Sequence, residues 1–81
     1  MTYAELDDYL EIVAEEIHLM TGLEANVRNR KIVVDTIAGT IVYEKVSNDI
    51  MIDVYRFIYH YGRRLFTYGL EQKLKLKKEA K

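Results

Sequence analysis

Residues Ile50 to Leu70 read IMIDVYRFIYHYGRRLFTYGL, and the spacing of their apolar side chains decides the fold. Stepping about 100° per residue, Ile50, Val54, Phe57, Ile58, Tyr61, Leu65 and Tyr68 gather on one side of a helix. That is the broad stripe of an element laid against a core. A second stripe runs along another side, through Ile52, Tyr55, Tyr59, Phe66 and Leu70. Asp53, Arg56, His60, Arg63, Arg64 and Thr67 are left as the polar side. Ser47 or Asn48 is expected to cap the helix, with Asp49 and Asp53 at its positive end. One small sheet and one other helix can cover one apolar stripe, not two.

Upstream, the period changes from helical to alternating. Leu23, Ala25 and Val27 alternate with Glu24, Asn26 and Arg28, the pattern of a half-buried strand. A polar run, Arg28-Asn29-Arg30-Lys31, holds an asparagine suited to a turn, and the β-branched Ile32-Val33-Val34 resumes extended structure. Ile37-Ala38-Gly39-Thr40 either reverses the chain into a third strand, Ile41-Val42-Tyr43, or bulges one long strand. Short loops favour antiparallel pairing.

Nearer the N-terminus, Thr2 and Glu5 make a capping box for a first helix. Its apolar face is read as Tyr3, Leu6, Leu10, Val13, Ala14, Ile17 and Met20, and Thr21-Gly22 stops it. The fold class is therefore α+β: an N-terminal helix, a short antiparallel meander of two or three strands, and a long C-terminal helix with a basic tail. Residues 1–72 form one domain and residues 73–81 the tail. Within that tail Leu74 suits a continued helix with Leu70, or a strand with Leu76, so its structure stays open.

An 81-residue chain buries a marginal core, and small domains are usually reinforced by disulfides, a metal or a partner subunit. Cysteine is absent and only His18 and His60 offer imidazole, so self-association is the expected supplement. Its expected seam is Ile52, Tyr55, Tyr59, Gly62, Phe66 and Gly69, which follow alternating three- and four-residue steps. Glycines on such a seam let two backbones approach while aromatic side chains fill the flanks. The competing reading ends the helix at Gly62, which would assign the two stripes to different elements.

Charge is segregated. The first 27 residues hold seven acids and no lysine or arginine, while all 12 basic residues follow from Arg28 onward. Asp7, Asp8, Glu11 and Glu15 are expected to form an acidic surface for a macromolecular partner. Arg63, Arg64, Lys73, Lys75, Lys77 and Lys78 are candidate phosphate contacts, although a pI near 6.1 is low for a dedicated nucleic-acid domain. The order helix, three strands, helix is shared with double-stranded RNA-binding domains. Those read RNA with the first helix and a lysine cluster opening the last. Here the first helix is acidic and the last opens with Asn48-Asp49, so that reading is not expected.

Catalytic signals are sparse. Glu15 and His18 have the spacing of carboxylate di-metal helices but lie away from the apolar stripe. Asp35 with Glu44-Lys45 misses the acid-x-lysine spacing of metal-dependent nucleases, and Ser47, the only serine, reads as a cap. The expectation is a cytoplasmic, non-enzymatic homo-oligomer with no cofactor, no metal and no membrane partner. It binds another protein, with a dimeric nucleic-acid-binding regulator as the alternative and a metal-dependent enzyme as a distant third.

Overall fold

In the computed structural model, which describes residues 1–79, the chain runs α1 (Tyr3–Thr21), β1 (Ala25–Arg28), β2 (Lys31–Thr36), β3 (Gly39–Tyr43) and α2 (Ile50–Glu79). The α+β class and the element order agree with the sequence reading. Three strands form rather than two, and the bulged alternative at Gly39 is not adopted.

Thr2 caps α1 by accepting a hydrogen bond from the Glu5 backbone N–H (3.2 Å), as the capping box requires. Gly22 closes it in the left-handed conformation (φ 76°), its N–H donating to the His18 carbonyl. The strands form one antiparallel sheet in the order β1-β2-β3. Asn29 and Arg30 make the first turn, both with positive φ (51° and 60°), the geometry of the tight hairpin turns that match strand twist. Arg30 tolerates it while its guanidinium stacks on the Tyr3 ring, 3.6 Å from the centroid.

Alternation in the sheet is regular. Ile32, Val34, Ile41 and Tyr43 are buried on the inner face, and Ala25 and Val27 pack against them from β1. The first helix supplies Leu10, Val13, Ala14 and Ile17, and the second supplies Val54 and Phe57. Two positions expected inside, Tyr3 and Met20, lie at the two ends of α1 and are exposed. Tyr9, absent from the expected stripe, is buried.

The start of α2 corrects two expectations. Its N-cap is Asp49, not Ser47 or Asn48: the Asp49 carboxylate accepts from the Met51 and Ile52 backbone N–H groups (2.9 and 3.4 Å). Ser47 instead accepts from the Asp49 N–H, holding the approach to the helix. Asp53, expected on the polar side, is 0% exposed. It lies between the two helices and the end of β3, where it has hydrogen-bond partners that the surface would not supply.

The second helix does not stop at Gly62 or Gly69. Its 30 residues span about 45 Å at 1.5 Å per residue, which accounts for the long axis of a 57 × 20 × 19 Å molecule. Asp53, Val54 and Phe57 are buried and Ile58, Tyr61, Leu65 and Tyr68 partly so, while every other residue from Gly62 to Lys77 is exposed. Residues 73–79 of the expected tail continue the helix; the Lys78 side chain and the whole of Lys81 lie outside the described residues. No described helix is long and apolar enough to cross a membrane.

Candidate functional site

Four features carry chemistry, and the sequence reading had placed residues at three of them. The first is the expected seam. Tyr55, Tyr59 and Phe66 are 58%, 61% and 68% exposed, with Ile52 and Leu70 exposed beside them along one uninterrupted helix. Gly62 and Gly69 lie on the same strip with nothing within 4 Å of where a Cβ would stand. No group of the subunit therefore requires glycine at either position. Leu74 and Leu76 prolong the exposed apolar surface towards the C-terminus.

The second is the acidic face. Asp7, Asp8, Glu11 and Glu15 are all exposed on α1. Among the described residues the one ion pair joins Lys31 to Glu44 (3.1 Å), so no salt bridge links this face to the basic part of the chain. Arg30 lines a shallow hollow with Asp7 and Glu11 without pairing to either, so the segregation is left largely unpaired inside the subunit.

Basic side chains of α2 form the third. Arg63 and Arg64 are exposed, as are Lys73, Lys75 and Lys77, but the arginines and lysines occupy different stretches of the helix. The arginines belong to a groove that the sequence did not reveal. It has a volume of about 560 Å³ and opens between β3 and α2, with Thr40, Val42 and Val46 on one side and His60, Arg63 and Arg64 on the other. In sheet order β3 is an outer strand, and its far edge borders this groove. Arg64 reaches across one end: a Cβ added to Gly39, the first residue of β3, would sit 3.4 Å from its guanidinium. Arg63 leans over the Tyr59 ring at 5.9 Å from the centroid.

The fourth feature is the buried carboxylate. Asp53 accepts hydrogen bonds from the Tyr9 hydroxyl, the Tyr43 hydroxyl (2.8 Å) and the Val46 backbone N–H (3.0 Å). Three donors from α1, β3 and the loop before α2 thus meet one side chain. Burial, and then the adjacent Asp53 carboxylate, push both tyrosine hydroxyls well above the ordinary phenol range. A carboxylate with no exposed surface cannot meet a solute, so its work is to lock α1, β3 and α2 together. The sequence carried a partial signal for it. Asp53 precedes Val54 and lies one turn before Phe57, both on the core stripe.

His18 lies with Nδ1 2.8 Å from the Leu23 carbonyl oxygen, beside the end of α1, and His60 stands edge-on to Tyr59 and tilted against Tyr43. Among the described residues no three histidine, aspartate or glutamate side chains gather in a way that would hold a metal ion. Comparison with protein families, with curated proteins and with solved structures finds no match for this chain.

Proposed function

We propose that the chain is a non-enzymatic interaction protein that works as a homo-oligomer in the cytoplasm, paired through the exposed stripe of α2 around Tyr59, Gly62 and Phe66. The observation that carries this reading is the continuation of α2 past its own core with aromatic side chains on one strip. Most helical stability in proteins comes from packing an apolar face, so the projecting half of α2 gains from a covering surface. Covered aromatic residues bury about 150–250 Å² each. Scaled by exposure and joined by Ile52, Leu70 and Leu74, the strip offers roughly 600–700 Å² per subunit, close to the ~800 Å² per partner of a stable interface.

Charge favours antiparallel pairing. Parallel helices would bring two runs of Lys73, Lys75 and Lys77 side by side. Antiparallel helices bring each run towards the acidic α1 of the other subunit, because α1 packs on the N-terminal half of α2 through Tyr9 and Asp53. What remains of the acidic face is offered to a basic surface on a further protein.

The decisive measurement is the mass in solution by light scattering, with Tyr59→Glu as the variant. A dimer or larger assembly for the native chain, falling to monomer or to aggregate in the variant, is expected. A native monomer, or an assembly indifferent to Tyr59→Glu, removes the reading.

A second reading has its own observation. Arg63, Arg64 and the three described tail lysines are exposed and none is ion-paired among the described residues, which suits contact with nucleic-acid phosphates. Salt-sensitive binding to generic DNA or RNA, lost on truncating residues 73–81, would favour it over a protein partner.

A further inference from the structure

The groove between β3 and α2 borders the α2 strip at Arg63, and its two walls differ in kind. One wall is backbone. Across a two-residue turn, Thr36 pairs with Gly39, Val34 with Ile41 and Ile32 with Tyr43. In an antiparallel ladder the residues flanking such a turn exchange both hydrogen bonds, and every second residue beyond them turns its N–H and C=O outward. Thr40 and Val42 are those residues, so β3 presents unpaired donors and acceptors at strand spacing. Outer strands are ordinarily blunted by proline, by lysine or by a covering element. No proline or lysine lies in Gly39–Tyr43, and the exposed Val42 adds apolar surface.

The other wall is cationic. His60, Arg63 and Arg64 come from successive turns of α2, and none has an ionic partner among the described residues. The one acid lining the groove, Glu44, is already held by Lys31.

We infer that this groove takes an extended, acidic segment of a partner protein as a fourth strand of the sheet, its backbone pairing with Thr40 and Val42 and its carboxylates meeting Arg63 and Arg64. The inference deepens the interaction-protein reading, on which it rests, by giving the partner a chemistry. Strand addition draws affinity from the ladder and specificity from the flanking side chains. A nucleic acid would satisfy the arginines but has no backbone amides to offer β3. A polypeptide strand fits both walls. Arg64 and the β3 edge lie on another side of α2 from Tyr55, Phe66 and Gly69, and Arg63, which leans over Tyr59, borders both surfaces, so each subunit of a pair keeps its own copy of the groove beside the seam.

The probe is a fluorescent heptapeptide of alternating glutamate and valine, titrated against the full chain and followed by anisotropy. Saturable, salt-sensitive binding is expected, with amide NMR shifts at Thr40 and Val42. Affinity should fall at least tenfold in the double variant Arg63→Gln/Arg64→Gln, whose side chains are exposed and do not support the core. It should fall at least tenfold again for a peptide N-methylated at alternate residues, which keeps its charge but cannot form the ladder. Equal affinity for the methylated peptide overturns the proposal, as does the absence of binding by the native chain. A single-stranded oligonucleotide that shifts the same amides and displaces the peptide overturns it in favour of phosphate recognition. Tyr55→Glu separates the two readings: loss of assembly with peptide binding retained supports the groove on its own, and a native monomer that still binds the peptide sinks only the assembly.

Discussion

Phe57 and Phe66 stand on opposite sides of the same helix, and they divide the molecule. Phe57 is 0% exposed, edge-on to Tyr43 and stacked near Tyr61, in the half of α2 that rests on α1 and the sheet. Phe66 is 68% exposed, in the half that runs from the end of the β3 groove to the C-terminal end of the helix. The two halves share one helical period, yet only the first has fully buried side chains within its own subunit. The difference teaches that apolar periodicity reports what must be covered and not what covers it. A three-stranded sheet beside a helix of 19 residues is too short to cover both.

The sharpest way to break this contrast is to shorten both phenylalanines. Phe57→Ala removes a fully buried ring and should cost about 3–5 kcal/mol, close to the whole stability of so small a domain. Phe66→Ala should cost almost nothing at the lowest protein concentrations. At higher concentrations it should lower the midpoint of urea unfolding relative to the native chain, since its partner surface then exists only in the assembly. Equal, concentration-independent losses from both variants would mean that the projecting half is sheltered within its own subunit.

The buried carboxylate gives the next largest effect. Asp53→Ala strands the Tyr9 and Tyr43 hydroxyls and the Val46 N–H without an acceptor, each costing about 1–3 kcal/mol when left unsatisfied in the interior. A loss of at least ~3 kcal/mol in urea unfolding is expected. Asp53→Asn, which keeps one acceptor oxygen and the side-chain shape, should lose less. A surface aspartate such as Asp8 changed to alanine should barely register.

These two residues also mark how far the sequence could be read. Alternation in residues 23–43 and the stripes of both helices were enough for the class, the element order and the antiparallel sheet, because each depends on neighbours a few positions apart. Asp53 and Tyr9 were misplaced for the opposite reason. Each looks like a surface residue until its partner, distant in the sequence, is brought beside it. The third donor, Val46, comes from a loop that has no periodicity to read. The groove was invisible on the same grounds, since its walls come from β3 and from α2 and no local pattern joins them. By contrast the exposed seam was legible, being a property of one helix.

Alkaline pH probes the same anchor from the other side. In the unfolded chain Tyr9 and Tyr43 titrate near the ordinary value of about 10, whereas in the folded chain burial and the Asp53 carboxylate hold both protons to higher pH. The folded state then binds more protons than the unfolded one above about pH 10. The anchor's contribution is therefore complete below that pH and is lost as pH rises towards the folded values. Each tyrosine contributes a slope of about 1.4 kcal/mol per pH unit in that window, so the pair gives roughly 2–3. Tyr9→Phe/Tyr43→Phe should be less stable at pH 7 but flatter above pH 10 when unfolding is followed by far-ultraviolet circular dichroism. An unchanged alkaline slope would show that other groups govern it.

The smallest effect separates the two halves by sign. A mid-helix glycine costs about 1 kcal/mol relative to alanine because its backbone loses more freedom on folding. At Gly62 nothing lies within 4 Å of an added Cβ, so within one subunit Gly62→Ala should be a pure gain in helix stability. If a partner backbone passes close to Gly62, the same methyl group must push it away, and association should weaken even as the helix strengthens. Dilute monomer would then unfold at higher temperature than the native chain while its dissociation constant rises severalfold in sedimentation equilibrium. A gain in both would place the helix contact elsewhere on the stripe, and Gly69→Ala, equally unobstructed within the subunit, would be the next position to test.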